Sequence, residues 1–353
     1  MTYIAGVSSR FPDYYYRQEE LTAVLLKTWA DRHRNLERLE RFHQNVTVEG
    51  RYLALPLDHY EKLSGLEAKN DAWIQTALDL GEQAVCALLE KTGLHPKEIS
   101  QFVFTTITGI AVPSIDARLM NRIPFSSHLK RVPIFGLGCL GGAAGIARGA
   151  DYLQGHPDEA SILLSVELCS LTLQREDPSI ANLISSGLFG DGAAAVLMLG
   201  EKHPLAQNGQ AKILDNHSVF FPNTEHIMGW DIVDTGFKIL LSSDVADIAG
   251  NHLRPAVETF LGSHGLSLQD ITHWIAHPGG PKVIEAIQKG LDLEPDALKL
   301  SRESLAAVGN ISSTSVLLIL EETLARYRPA PGTYGLLMAM GPAFCAEFVL
   351  LRW

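Results

Sequence analysis

The sequence predicts an α/β protein made of two similar halves. Three observations carry that expectation: continuous apolar runs of strand length alternate with segments of helical periodicity, the alternation occurs twice, and apolar residues make up 46 % of 353, enough for a substantial core. In the first half, Trp73, Ala77, Leu80, Ala84, Ala87 and Leu88 recur at helical spacing over residues 68–91, GLHP stops that helix, and QFVFTTI follows as a buried strand. RVPIF reads as the next strand, GLGCLGG as a turn, AAGIARGADYLQG as a helix and ASILLSVEL as a strand. GLFGDGAAAVLMLG is then a Gly-punctuated turn running into another strand. The polar stretch EKHPLAQNGQ separates the halves. Beyond it come a helix over 245–264, DITHWIAH as a strand, PKVIEAIQKGL as a helix, GNISSTSVLLILEETLARY as a turn and helix, and YGLLMAM and AEFVLLRW as closing strands. The duplication lies in the order of elements, not in residue identity.

Lys and Arg total 29 against 40 Asp and Glu, a net charge of −11, so no global basic field is available for nucleic acid or an anionic membrane. An anionic ligand would need a local basic cluster. The N-terminal MTYIAGVSSRFPDYYY lacks the basic and long apolar regions of a signal peptide, and no run approaches 18 apolar residues; a soluble cytoplasmic protein is expected. Cys86, Cys139, Cys169 and Cys345 lie far apart without a C-x-x-C pair, which argues against a zinc ribbon or a disulfide framework. His273 and His277 are four residues apart, but in a strand that spacing is too long for one metal, and no metal site is expected.

Three sites carry residues suited to chemistry. GLGCLGG places Cys139 between a buried strand and a helix, near the positive end of a helix dipole, which lowers a thiol pKa and favours the nucleophilic thiolate. Two other readings of this turn stay open: a buried small residue, or a dinucleotide turn in which Gly136, Gly138 and Gly141 spell G-x-G-x-x-G and Glu167 ends the next strand as a ribose-binding acid would. WIAHPGG puts His277 at a strand end before a Pro-Gly-Gly turn, where open α/β sheets hold catalytic groups. VGNISSTS puts Asn310 before a long apolar helix, where capping that helix is the simplest role. Together the three supply a nucleophile, an imidazole that acts as base or donor, and a neutral amide donor.

GLGCLGG, SVELCSLTLQ, GLFGDGAAAVLMLG, WIAHPGGPKVIEAI and GNISSTSVLLILEE resemble the type III polyketide synthases, chalcone synthase-like homodimers of the thiolase fold. The resemblance implies a layered α/β/α/β/α architecture in two thiolase-like halves, residues 1–212 with the nucleophilic Cys and 213–353 with the His and Asn. It implies that Cys139 accepts an acyl starter from coenzyme A. His277 and Asn310 would stabilise the enolate formed when malonyl-CoA loses carbon dioxide, and His277 would also hold Cys139 as a thiolate. Two gatekeeper phenylalanines map onto Phe189 and Phe237. Glu167 and Ser312 match a hydrogen-bond network that steers cyclisation in some members. In the C-terminal loop AMGPAF, Gly341 and Pro342 match the family while Ala343 replaces a Gly.

Acyl-CoA and malonyl-CoA are the implied partners, with no cofactor, no nucleic acid and no membrane. In DRHRNLERLERFHQ, Arg34, Arg38 and Arg41 fall on one helical face, and Arg38 and Arg41 match basic coenzyme A contacts of the family; a third such position is Asn45. The plainer reading of that face is a solvated one laced with Glu37 and Glu40. SVELCSLTLQ puts Cys169 at a cavity-wall position and resembles bacterial members that make alkylpyrones, so medium-to-long fatty acyl starters and an alkylpyrone or alkylresorcinol product are expected. The nearest rival is a ketoacyl-ACP synthase III-like enzyme with one extension; AHPGG in place of that family's His-Gln-Ala-Asn run argues against it. A Cys/His/Asn hydrolase or a non-enzymatic binding protein would release no carbon dioxide from malonyl-CoA.

Overall fold

The computed structural model describes residues 1–30, 36–177, 179–242 and 244–353. The first half runs β1 (Thr2–Arg10), β2 (Tyr14–Arg17), α1 (Gln18–Trp29), α2 (Leu36–Asn45), β3 (Gly50–Leu53), α3 (Leu57–Tyr60), α4 (Gly65–Thr92), β4 (Ile99–Thr106), α5 (Ile115–Leu119), β5 (Lys130–Phe135), α6 (Gly141–Gly155), β6 (Ala160–Leu168), α7 (Ile180–Leu188) and β7 (Asp191–Gly200). The second runs β8 (Ala211–Phe220), β9 (Met228–Val233), β10 (Gly236–Leu241), α8 (Val245–Ser263), β11 (Ile271–Ala276), α9 (Pro281–Leu291), α10 (Lys299–Val308), α11 (Ser312–Glu322), β12 (Tyr334–Gly341) and β13 (Cys345–Arg352).

The main sheet has the order β11-β12-β13-β8-β1-β7-β6-β4-β5, so each half supplies one contiguous block of strands. The blocks join where β1 meets β8 through Thr2–Ile4 alone, while the rest of β1 stays paired with β7. Beyond that short seam the two blocks are held apart by helices. Side-chain parity shows the layering, because alternate residues of a strand face opposite sides. Phe102 and Phe104 of β4 pack with α4, whereas Val103 packs with α6 and α11. Leu336 and Met338 of β12 pack with α8 and α9, whereas Leu337 and Ala339 face α6 and α11. The order is therefore α4, first sheet block, α6 with α11, second sheet block, α8 with α9: the α/β/α/β/α layering of a thiolase-like fold.

The middle layer explains two peculiarities of sequence. In α11 every residue from Ser312 to Leu320 is buried, which accounts for an apolar run without a polar face. In α6 the glycines are packing residues: a Cβ on Gly142 would overlap the Ser313 carbonyl and one on Gly145 the Leu163 side chain. Such close approach is available only to Gly.

Candidate active site

The two central helices begin at one place. Cys139 sits in the short turn Gly138–Leu140 that links β5 to α6, and Asn310 lies just before α11, so two helix N-termini with their partial positive charge converge there. Gly138 has φ +53°, and a Cβ on it would stand 2.5 Å from Cδ of Pro342. The turn thus needs Gly both for its backbone and for contact with the loop between β12 and β13. Ala343 in that loop keeps a left-handed φ of +57°, with its carbonyl accepting from Thr224 Oγ1 at 3.0 Å.

His277 follows β11 directly, its backbone N–H donating to the Met338 carbonyl at 2.9 Å. Gly280, at φ +152°, then redirects the chain so that Pro281 can begin α9. Asn310 does two things at once. Its Oδ1 accepts from the Ser312 N–H at 2.8 Å, the turn-forming role the sequence suggests, and this orients Nδ2, which donates to the Gly279 carbonyl at 3.3 Å. Its backbone pairs with Leu188 and Gly190, on either side of Phe189.

Cys139, His277, Asn310 and Ser312 line one cavity of about 350 Å³, together with Cys169 and Phe189. Both ring nitrogens of His277 are buried without a protein partner, as is Ser312 Oγ. Burial pushes the His277 pKa down to about 3, so the ring is neutral. Burial also pushes the Cys139 thiol up to about 12, against pulls in the other direction from the Ser312 hydroxyl, its own backbone N–H and the Asn310 amide. This corrects the expected lowered thiol pKa: a helix end contributes a partial charge, and the loss of hydration outweighs it.

The structure corrects four other expectations. Glu167 does not reach the cavity; it is fully buried, and its carboxylate accepts from the Ile107 N–H at 3.1 Å, from the Thr108 hydroxyl at 2.8 Å and from the Ser313 hydroxyl. Its network therefore runs to Ser313, while Ser312 lines the cavity with its Oγ unpartnered, and no acid is left for a ribose. The Gly136-x-Gly138 turn holds Pro342 where a dinucleotide phosphate would have to lie. Phe237 is buried and lines an outer space of about 270 Å³ rather than the cavity with Cys139. Gly341 is likewise behind the wall, with a Cβ there meeting the Leu137 carbonyl, whereas Pro342 lines the cavity.

Arg38 and Arg41 are exposed on α2, whose Phe42 and Asn45, with Val46 just beyond it, line the outer end of the cavity. Arg34 lies outside the described residues. Lys282, exposed in the first turn of α9, lines that end too and was missed from sequence, although a Lys directly after PGGP was a visible signal. Also missed was Trp230 on β9, in a ribbon whose Asp-Thr-Gly turn between β9 and β10 is a hairpin signal. Behind Cys169, Phe189, Trp230 and Ile239 lies a further chamber of about 100 Å³ lined mainly by apolar side chains of α1 and its neighbours. Among the described residues no group of three or more His, Cys, Asp or Glu could hold a metal ion, and no helix is long and apolar enough to cross a membrane.

Comparison with known proteins agrees with this arrangement. Residues 2–202 match the family model for the N-terminal domain of chalcone and stilbene synthases and residues 212–353 match that for the C-terminal domain. A 1,3,6,8-tetrahydroxynaphthalene synthase of Streptomyces peucetius subsp. caesius is 46 % identical over 352 residues, covering 100 % of this chain and 93 % of that one. A putative chalcone synthase of Bacillus subtilis is 36 % identical, covering 100 % and 99 %. The crystal structure of the 1,3,6,8-tetrahydroxynaphthalene synthase of Streptomyces coelicolor A3(2), a bacterial type III polyketide synthase, superposes with a TM-score of 0.93 at 29 % identity over 99 % of both chains. The chain belongs to the chalcone and stilbene synthase family and is an acyl-transferring type III polyketide synthase.

Proposed function

We propose that the synthase loads an acyl group from acyl-CoA on Cys139, extends it repeatedly with malonyl-CoA and releases a cyclised polyketide. The observation that carries this reading is that both His277 nitrogens are unpartnered in the cavity shared with the Cys139 thiol and the Asn310 amide. In loading, Cys139 Sγ attacks the thioester carbonyl as neutral His277 takes its proton; the C–S bond to coenzyme A breaks, and the proton passes to the leaving thiolate. The neutral imidazole has a nitrogen free to accept that proton. In extension, the malonyl C–C bond breaks, carbon dioxide leaves, and the enolate oxygen accepts hydrogen bonds from the imidazole and from Asn310 Nδ2. The enolate carbon then attacks the Cys139 thioester carbonyl; the C–S bond to Cys139 breaks, the cysteine leaves as a thiolate that is reprotonated, and the lengthened chain, now on coenzyme A, returns to Cys139 by the same transfer as in loading before the next extension. Each step is acyl transfer, decarboxylation or C–C bond formation, so the scheme uses no cofactor.

Lys282 lines the cavity, and Arg38 and Arg41 are exposed on α2, whose Phe42 and Asn45 line it; these three supply the local positive charge that coenzyme A phosphates need on a chain of net charge −11. A homodimer is supported by the exposed edge strand β5 with Phe135 at 49 % exposure and by Val112, in the loop between β4 and α5, at 90 %.

For the starter, the apolar chamber behind Cys169 supports a medium-to-long fatty acyl chain, hence an alkylpyrone or alkylresorcinol. A second reading rests on the 46 % identical relative, whose named product is a ten-carbon ring system without an alkyl chain. Mass spectrometry of products from malonyl-CoA alone and with acetyl- to palmitoyl-CoA separates the two. The fatty acyl reading expects alkylated products, with Cys169→Phe shifting preference to short chains because each methylene excluded loses about 0.8 kcal/mol of burial. A naphthalene product from malonyl-CoA alone, with no acyl-CoA incorporated, establishes the second.

A further inference from the structure

The catalytic cavity has two neighbours. The inner chamber shares with it only Cys169, Phe189, Trp230 and Ile239 among the described residues. The outer space, on the side of Phe135 and Phe237, shares Ile107, Met228, Gly229, Trp230, Leu240 and Pro342. Trp230 is alone among the described residues in lining all three. It lies on β9 opposite Ile239 of β10, half-buried, with its ring edge-on to Phe237 at 6.3 Å. A two-stranded ribbon outside the main sheet carries it.

A chain growing on Cys139 lengthens by two carbons per extension and must stay inside walls until it cyclises. The two neighbouring spaces, about 100 and 270 Å³, together match the catalytic cavity in volume. Which of them the chain can enter therefore decides how many carbons fit. We propose that Trp230 sets the length of chain the synthase builds, its indole being the shared partition that confines the Cys139-bound acyl chain to the catalytic cavity and its inner chamber. The other partition residues each border two spaces, so shortening one of them opens a single passage; shortening Trp230 joins all three. This assignment rests on the condensing reading above.

The test is the product distribution of Trp230→Ala, Trp230→Leu and Trp230→Phe proteins given malonyl-CoA with and without a fatty acyl-CoA, normalised to carbon dioxide released. The expected result is that Trp230→Ala raises the share of products longer by one or more two-carbon units by about tenfold, the partition change for burying about two extra methylenes. Trp230→Leu should give a smaller shift in the same direction, and Trp230→Phe, which keeps an aromatic partition, should restore the native distribution. Leu also serves if the Ala protein does not fold. Active Ala or Leu proteins with the native distribution overturn the assignment, as does a Phe protein that shifts as far as Ala. If the native protein releases no carbon dioxide from malonyl-CoA, the condensing reading itself falls, a separate outcome.

Discussion

The two sides of the cavity are built differently. Cys139 and Asn310 stand at the ends of α6 and α11, the middle layer of the protein, where nearly every residue is buried. The opposite wall comes from α2 and the β9–β10 ribbon, whose residues are mostly half-buried or exposed. Bond-making groups are mounted where packing leaves the backbone no alternative. The walls that admit coenzyme A and fit the chain are mounted where side chains can change without disturbing the core.

That contrast predicts large effects on the buried side and small ones on the other. Asn310→Ala should slow malonyl-CoA decarboxylation by about 10²- to 10³-fold, the usual loss for one oxyanion donor. Stopped assays of carbon dioxide release would check it, and a wild-type rate would leave Asn310 as a turn residue only. The next effect is on stability. His277 and His43 are both held down to about 3 by burial, from 6.5, so the unfolded chain binds protons that the native one does not between those values. Their contribution is whole above pH 6.5 and is lost as pH falls towards 3. Each such group costs roughly 3 kcal/mol by about pH 4. Thermal melts should show a steep acid limb, shallower in His277→Phe; identical limbs would contradict the burial account.

On the wall side, Arg38→Glu with Arg41→Glu should raise KM for acyl-CoA a few-fold, as expected for exposed charges, with the effect shrinking as salt rises. Pantetheine thioesters, which lack the nucleotide end, should be unaffected; an equal loss for them would show that the helix itself has been disturbed. The smallest effect expected is at the loop after β12. Ala343→Gly should raise stability by about 0.5–1 kcal/mol, the relief of a left-handed φ less the extra unfolded-state freedom of Gly. A denaturant midpoint lower than native would mean that Ala343 packs better than its backbone suggests.

The same contrast governs what could be read from sequence. β6 was legible as ASILLSVEL because all nine of its residues are buried and the run is unbroken. The turn before α6 and the strand end before His277 were legible for the same reason: they interrupt long apolar segments with Gly and Pro. β8 was not, because Asp215, Asn216, His217 and Ser218 occupy its middle and leave neither a continuous run nor a clean alternation. β1, central in the sheet, was missed through its small residues, and the β9–β10 ribbon through its mixed face. Site chemistry was legible as residue types, not as environment. The choice of Ser313 over Ser312 as the partner of Glu167 depends on which way the first turn of α11 faces, and the raised thiol pKa depends on burial that no motif encodes.

The most direct test of the central claim, that Cys139, His277 and Asn310 open onto one space in which an acyl chain is loaded and extended, is peptide mass mapping of a trapped intermediate. The protein is mixed briefly with an acyl-CoA starter and malonyl-CoA, quenched in acid and digested. The account predicts the starter mass, and masses longer by two-carbon units, on the peptide containing Cys139, with Asn310→Ala retaining the loaded starter but losing the extended species. Acyl groups recovered on Cys169 or Cys345, or extension products formed by Cys139→Ala, would contradict it.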